Sequence, residues 1–220
     1  MDPLLNSIEI RILGSLIEKE ITTPGYYPLT LNALTNACNQ KNNRDPIVEF
    51  DDTTVARGLE SLREKSLVST ITGAGYRVHK YKHNFTTYYH VSHSEIVVMC
   101  LLMLRGPQTL GELRTRGTSM NAFENLAAVE EVLKGLDSHV PPMTKLLPRG
   151  AGQKEARYTH LLSGEPAAIE IAQSLRPEKA VIQIQTENER ISRLEEQVKI
   201  LTEENMQLKK QFAEFKKQFE

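Results

Sequence analysis

The 220-residue sequence predicts a mainly α-helical α+β chain: two successive units of three helices closed by a small β-hairpin, then a C-terminal coiled coil. Three observations carry this. A Gly-rich turn, "TGAGYR" from Thr72, is echoed by "RGAGQK" from Arg149, 77 residues on. The apolar set Val55, Leu59, Leu62 recurs 74 residues later as Val129, Leu133, Leu136. Finally, from Glu178 onward a heptad pattern continues with neither Gly nor Pro. Three helices closed by a hairpin is the winged helix-turn-helix arrangement, and two in tandem divide the chain into 1–92 and 93–166.

Each element has a local reason. Ile8, Ile12, Leu13, Leu16 and Ile17 recur at helical spacing, and Pro24-Gly25 stops that helix. "PLTLNALTNAC" reads as a short second helix with Leu31, Leu34 and Cys38 on one face. Asp51 or Asp52 caps the third helix, where a carboxylate also suits the positive end of the helix dipole. After Lys65 the chain turns β-branched in "LVSTIT". Beyond the Gly-rich turn, Phe85, Thr87, Tyr89 and Val91 alternate with Thr86, Tyr88 and His90, the pattern of a half-buried strand. The second unit repeats the order, with Glu95–Leu104 as its first helix and Leu110 and Leu113 matching Leu31 and Leu34.

Residues 167–178 form a linker with a short helical stretch broken at Pro177, and 179–220 the coil. With Ile184 at position a, the a series continues Ile191, Val198, Asn205, Phe212 and Phe219; position d holds Glu187, Leu194, Leu201, Leu208 and Phe215. β-branched residues at a with Leu at d favour a parallel two-stranded coil, and a lone Asn at a fixes register. Arg190 faces Glu195, and Glu204 faces Lys209, in the attractive g-to-e′ relation. The expectation is a parallel homodimer; the alternative is one amphipathic helix folding back on the units.

Composition bounds the function. Formal net charge is −1 and the pI about 6.6, so affinity for phosphate has to come from local patterning. The longest apolar run, Ile96–Leu104, is too short to span a bilayer, and the N-terminus lacks a basic start and cleavage site. Cys38 and Cys100, both in apolar helical phase, read as buried thiols of a cytoplasmic protein.

Local patterning exists. Between Ser66 and Ser94 there is no Asp or Glu, while Arg77, Lys80 and Lys82 cluster with Tyr76 and Tyr81. A winged helix places its third helix in the major groove and its wing along the backbone. Candidate contacts to double-stranded DNA are therefore Thr53, Thr54, Arg57 and Ser61 on the third helix, with Arg77, Lys80 and Lys82 on the wing. Asp51 and Asp52 stand against this at the same helix's start. The second unit carries Glu124, Glu130 and Glu131 against Lys134, and Glu155 interrupts its wing, so a protein partner suits it better.

Other chemistries have weaker signals. Four of six histidines lie between 79 and 93, but no cysteine is near and His79-x3-His83 spacing suits a helix better than a wing. Surface histidines beside a basic patch are expected, with no metal or other cofactor. No G-x-S-x-G, P-loop, H-E-x-x-H or dinucleotide fingerprint occurs, which points away from an enzyme. "NQKNNRDP" (Asn39 to Pro46) suits a loop bonding its own backbone, with a ligand pocket as the alternative.

"EIRILGSLIEKEITTPGYYPLTLNALTNACNQKNNRDP" (Glu9 to Pro46) resembles the opening of the YceH-like family of bacterial proteins. "LRGPQTLGELRTR" (Leu104 to Arg116) and "EARYTHLLSGEP" (Glu155 to Pro166) resemble its second half, and "RVHKYKH" a basic family segment. The resemblance covers about residues 4–166. It implies a tandem winged-helix fold and carries no activity with it. Two readings stay open: a dimeric DNA-binding protein, either a transcriptional regulator or a nucleoid-associated one, and a protein-binding assembly scaffold without DNA contact.

Overall fold

The structure, a computed structural model, describes residues 3–72, 78–149 and 155–166, all within one compact unit. The coil positions Ile184 to Phe219, the linker, Arg77 and both Gly-rich turns lie outside the described residues.

Helix α1 (Ser7–Thr22) begins at Asn6, whose side chain accepts from the Ile8 and Glu9 amides while Glu9 accepts from the Asn6 N–H. This reciprocal cap satisfies amides that have no partner inside the helix. A short 3-10 turn (Pro24–Tyr26) leads to strand β1 (Leu29–Thr30), then α2 (Leu31–Cys38) and α3 (Asp52–Glu64). Strands β2 (Val68–Ile71) and β3 (Lys80–His83) form an antiparallel hairpin, with β1 on the outer side of β3, giving the order β1-β3-β2.

The second half repeats this: α5 (His93–Arg105), α6 (Leu110–Gly117), α7 (Leu126–Asp137), β4 (Thr144–Leu146) and β5 (Tyr158–His160). Its helices start on the same devices, a Ser92–Glu95 capping box on α5 and Thr109 capping α6 as Thr30 caps α2. Even β1 has an echo, an isolated antiparallel bridge between Gln108 and Tyr158. The α+β order is consistent with a tandem winged helix.

One element differs from the sequence expectation. The return strand is β3, "KYKH", and Phe85–Tyr89 form a short helix, α4, ended by His90 at φ 55°. Phe85, Tyr88 and Tyr89 sit at i, i+3 and i+4, so a helical turn gathers the three rings, with Phe85–Tyr89 and Tyr88–Tyr89 centroids 4.7 and 4.8 Å apart. Phe85 is fully buried, and its packing decides between two patterns the sequence fits equally well.

The halves share one core. Helices α1 and α5 pack side by side, and Gly14 marks how closely: a Cβ there would lie 2.9 Å from Leu104 Cδ2. Gly58 plays the same part between α3 and α1, where a Cβ would meet Ile12 Cδ1 at 2.4 Å. Backbone bonds also join the halves, Leu5 N–H to Leu162 O and Asp45 N–H to Leu104 O, at 2.8 and 2.9 Å. Cys38 and Cys100 are fully buried, and burial pushes the Cys38 thiol up to about 11, far from reactive thiolate.

Candidate nucleic-acid interface

Helix α3 is held in place by the "NQKNNRDP" loop. Arg44 is buried with its guanidinium on both Glu18 oxygens, at 2.9 and 2.6 Å, and on the carbonyls of Ala37 and Asn43. Arg11, also buried, donates to Cys38 O at 3.3 Å and to Pro46 O. Burial, and then the nearby charge of Arg44, pulls the Arg11 guanidinium below its ordinary value. Burial raises the Glu18 carboxyl, but the bonds and charge of Arg44 outweigh it and the net shift is downward. Asn39 finishes the clamp, accepting from Phe50 N–H and donating to Phe50 O, both at 2.8 Å. One residue later Asp51 caps α3.

The sequence candidates on α3 divide into two pairs. Thr53 and Arg57 are exposed, one turn apart. Thr54 and Ser61 are half-buried; Thr54 belongs to the cap through its N–H on Asp51 Oδ1 at 2.8 Å, and Ser61 bonds the buried Glu9. Hydroxyls so occupied are poorer base readers than Arg57. The exposed face also carries Glu60, Arg63 and Glu64, with an Arg63–Glu60 ion pair at 2.5 Å. Both acids at the helix start have structural work. Thr54 bonds hold the Asp51 carboxyl below its ordinary value, and Asp52 Oδ1 accepts from the Thr35 hydroxyl at 2.5 Å. Both acids directly precede Thr53 in the chain.

On the wing, Lys82 is exposed and Lys80 half-buried, paired across the hairpin with Ser69 and Ile71. The structure thus places Lys80 and Lys82 on a strand whose partner, β2, packs against α3. His83 departs from the expectation of surface histidines. It is buried, and its Nδ1 accepts from the Phe85 N–H at 3.2 Å, which puts the ring proton on Nε2, facing Glu20 Oε2 at 2.7 Å. That bond, ahead of an opposing burial effect, holds Glu20 below the ordinary carboxylate value. His83 is the wing's anchor to α1. Among the described residues no group of three or more His, Cys, Asp or Glu is placed to hold a metal.

Several cations of the second half are paired with acids. Arg157 donates to both oxygens of Glu112, at 2.9 and 3.2 Å, and to Pro107 O; Lys134 pairs with Glu130, and Lys145 with Glu165.

Sequence reasoning missed Arg11, Glu18 and Arg44. The signal was present: Arg11 and Glu18 interrupt the apolar phase of α1, and charges in such a phase need a buried partner.

Paired helix-and-hairpin units define a small α+β protein consistent with tandem winged helices. Comparison with known proteins gives the family. Residues 5–153 match the family described as protein of unknown function, DUF480. A UPF0502 protein of Geotalea uraniireducens is 50% identical over 220 residues, covering 100% of both chains. The UPF0502 protein of Geobacter sulfurreducens is 47% identical with the same coverage. That of Opitutus terrae is 52% identical over 163 residues, 74% of this chain and 71% of the relative. The chain belongs to this bacterial family.

Proposed function

We propose that this is a non-enzymatic, cytoplasmic, dimeric winged-helix protein that binds double-stranded DNA through its first half. The observation that carries the reading is the acid-free hairpin, with Lys80 and Lys82 on the strand paired to β2, which itself packs against a third helix exposing Thr53 and Arg57. Lysines on a wing contact phosphate and supply affinity without sequence information, while Arg57, exposed on the third helix, is the side chain to reach a base edge in this reading. The partner copy is held through the heptads from Ile184 to Phe219, with Asn205 specifying a parallel pair. Removing residues after Glu178 should then give a folded monomer by light scattering; a truncated chain that stays a tight dimer would refute this mode of pairing.

The test uses purified full-length protein and random duplex DNA across a salt series. Replacing Arg77, Lys80 and Lys82 with Gln should leave folding intact and weaken binding to all duplexes alike. If the dimer engages all six charges, the log–log salt slope flattens by about 5, at about 0.9 per neutralised phosphate. An unchanged slope moves the second reading ahead: an assembly scaffold on tandem winged helices. The mixed-sign face of α3 and the acid-paired lysines of the second half favour that reading, and it requires a protein partner recovered without DNA.

A further inference from the structure

A cleft of about 410 Å³ opens between the two halves, within the size range of small-molecule sites. Four cations line it: Lys19, Lys41, Arg105 and Arg116. The single acid in the lining is Glu18, and both its oxygens are already engaged by Arg44. Gln40, Asn42 and Ser119 add neutral hydrogen-bonding groups. In a chain of net charge −1, this concentration of positive charge in one concavity needs a reason.

One reason is local. Lys19, Arg105 and Arg116 each stand in the last turn of a helix, where a cation offsets the negative end of the dipole. That accounts for a cation on each helix. It does not account for three helix ends from two halves converging on one cleft, nor for Lys41, which sits on a loop and is exposed. The guanidinium groups are also held: Arg105 bonds Asn43 Oδ1, and Arg116 donates to Gln108 Oε1 at 3.0 Å. Lys19 is held as well, on Gln40 Oε1 at 3.3 Å and 3.6 Å from Glu18 Oε2, which leaves Lys41 as the exposed ammonium beside two positioned guanidinium forks. Forks of this kind give geometry, and lysines point charge, to oxyanion recognition.

We propose that this cleft binds a small polyanion, a metabolite carrying phosphate or carboxylate groups. Gln40 to Asn43, which line the cleft, belong to the loop that runs into the α3 cap, so occupancy bears on the segment that positions the third helix. The proposal does not depend on DNA binding, and its test contains none.

Full-length protein is titrated by calorimetry with inorganic pyrophosphate and, separately, with citrate. Saturable binding of at least one probe is expected, and whichever binds more tightly identifies phosphate or carboxylate as the source chemistry. The Lys19→Gln/Lys41→Gln double variant should bind that probe about tenfold more weakly, the loss expected from a charged hydrogen bond. Lys41→Gln alone touches only an exposed side chain, keeps the fold, and should show part of that loss. Lys145→Gln, whose ammonium pairs with Glu165 elsewhere, should leave affinity unchanged. No saturable binding of either probe overturns the proposal and leaves the cations as dipole partners. Equal weakening by Lys145→Gln, or none in the double variant, overturns it as well.

Discussion

The hairpin strands "KYKH" (Lys80–His83) and "RYTH" (Arg157–His160) occupy matching places 77 residues apart, and nearly every matched pair behaves differently. Lys82 is exposed, while its counterpart Thr159 is buried. Arg157 is drawn onto Glu112. His83 has Glu20 at 2.7 Å; among the described residues His160 has no such carboxylate, and its enclosed Nδ1 makes no hydrogen bond there. The cause lies on the first helix of each half. Counting from the caps Asn6 and Ser92, the position matching Glu20 is Gly106, just past the end of α5. One scaffold thus supports two chemistries: the first half keeps charge on its wing and inside its core, and the second ties its charges down and keeps a neutral imidazole. Divergence of this kind is what a division of labour between a nucleic-acid face and a packing or partner face would require.

The strongest way to break this comparison is at the buried charge. Arg44→Met leaves the Glu18 carboxylate buried beside an empty site, and losing one partner of a buried pair costs about 3–5 kcal/mol. The second half should show no such sensitivity: Arg114, exposed and bonded only to the carbonyls of Phe123 and Glu124, should tolerate Met at about 1 kcal/mol or less. Urea melts of the two variants measure the difference. Similar costs would mean that water entering the cleft already screens Glu18.

Next in size is a prediction on which the halves should agree. Leu59→Ala and Leu133→Ala remove buried side chains at matching positions of α3 and α7, at about 2–5 kcal/mol each. Both residues belong to one continuous core cluster, so each variant should shift a single transition. Two separate transitions in either variant would show that the halves fold as independent domains.

These positions also show what was legible in the sequence. Both apolar triplets, all three helices of each half and an acidic cap at Asp51 or Asp52 follow from periodicity and cap chemistry, which are local; the structure selects Asp51. The Arg44–Glu18 pair joins residues 26 apart, and nothing local says which of several charges will meet. Phe85–Tyr89 misled for another reason: a five-residue stretch satisfies periods of 2 and 3.6 together, and tertiary burial of Phe85 chose. The exposed pair on α3, Thr53 and Arg57, was readable from helix phase. The inward turn of Ser61 was not, because its partner Glu9 sits on another helix.

A third experiment separates the two histidines by pH. Burial pushes His160 down to about 4 from an ordinary 6.5, so the unfolded chain takes up a proton that the folded chain refuses. Stability from this group is fully present above about 6.5 and lost as pH falls toward 4. His160→Leu should flatten the stability profile across that window, by about 1–3 kcal/mol at its acid end. Denaturant melts at intervals across the window check it; an unchanged slope would mean that another group titrates there.

The smallest expected effect tests the first half's answer to the same histidine. Glu20 is held below the ordinary carboxylate value of 4.5 by its bond to His83, so its contribution is present above that pH and lost as pH falls through its lower folded value. Its side chain is 45% exposed, and solvent screening limits such a pair to about 1 kcal/mol or less. Glu20→Gln keeps an acceptor for His83 Nε2–H while removing the charge. It should therefore cost little at neutral pH and reduce only the acid-side loss, leaving the window above 4.5 to His160. If Glu20→Gln instead destabilised the protein across the whole range, the ion pair rather than the hydrogen bond would be what fastens the wing to α1.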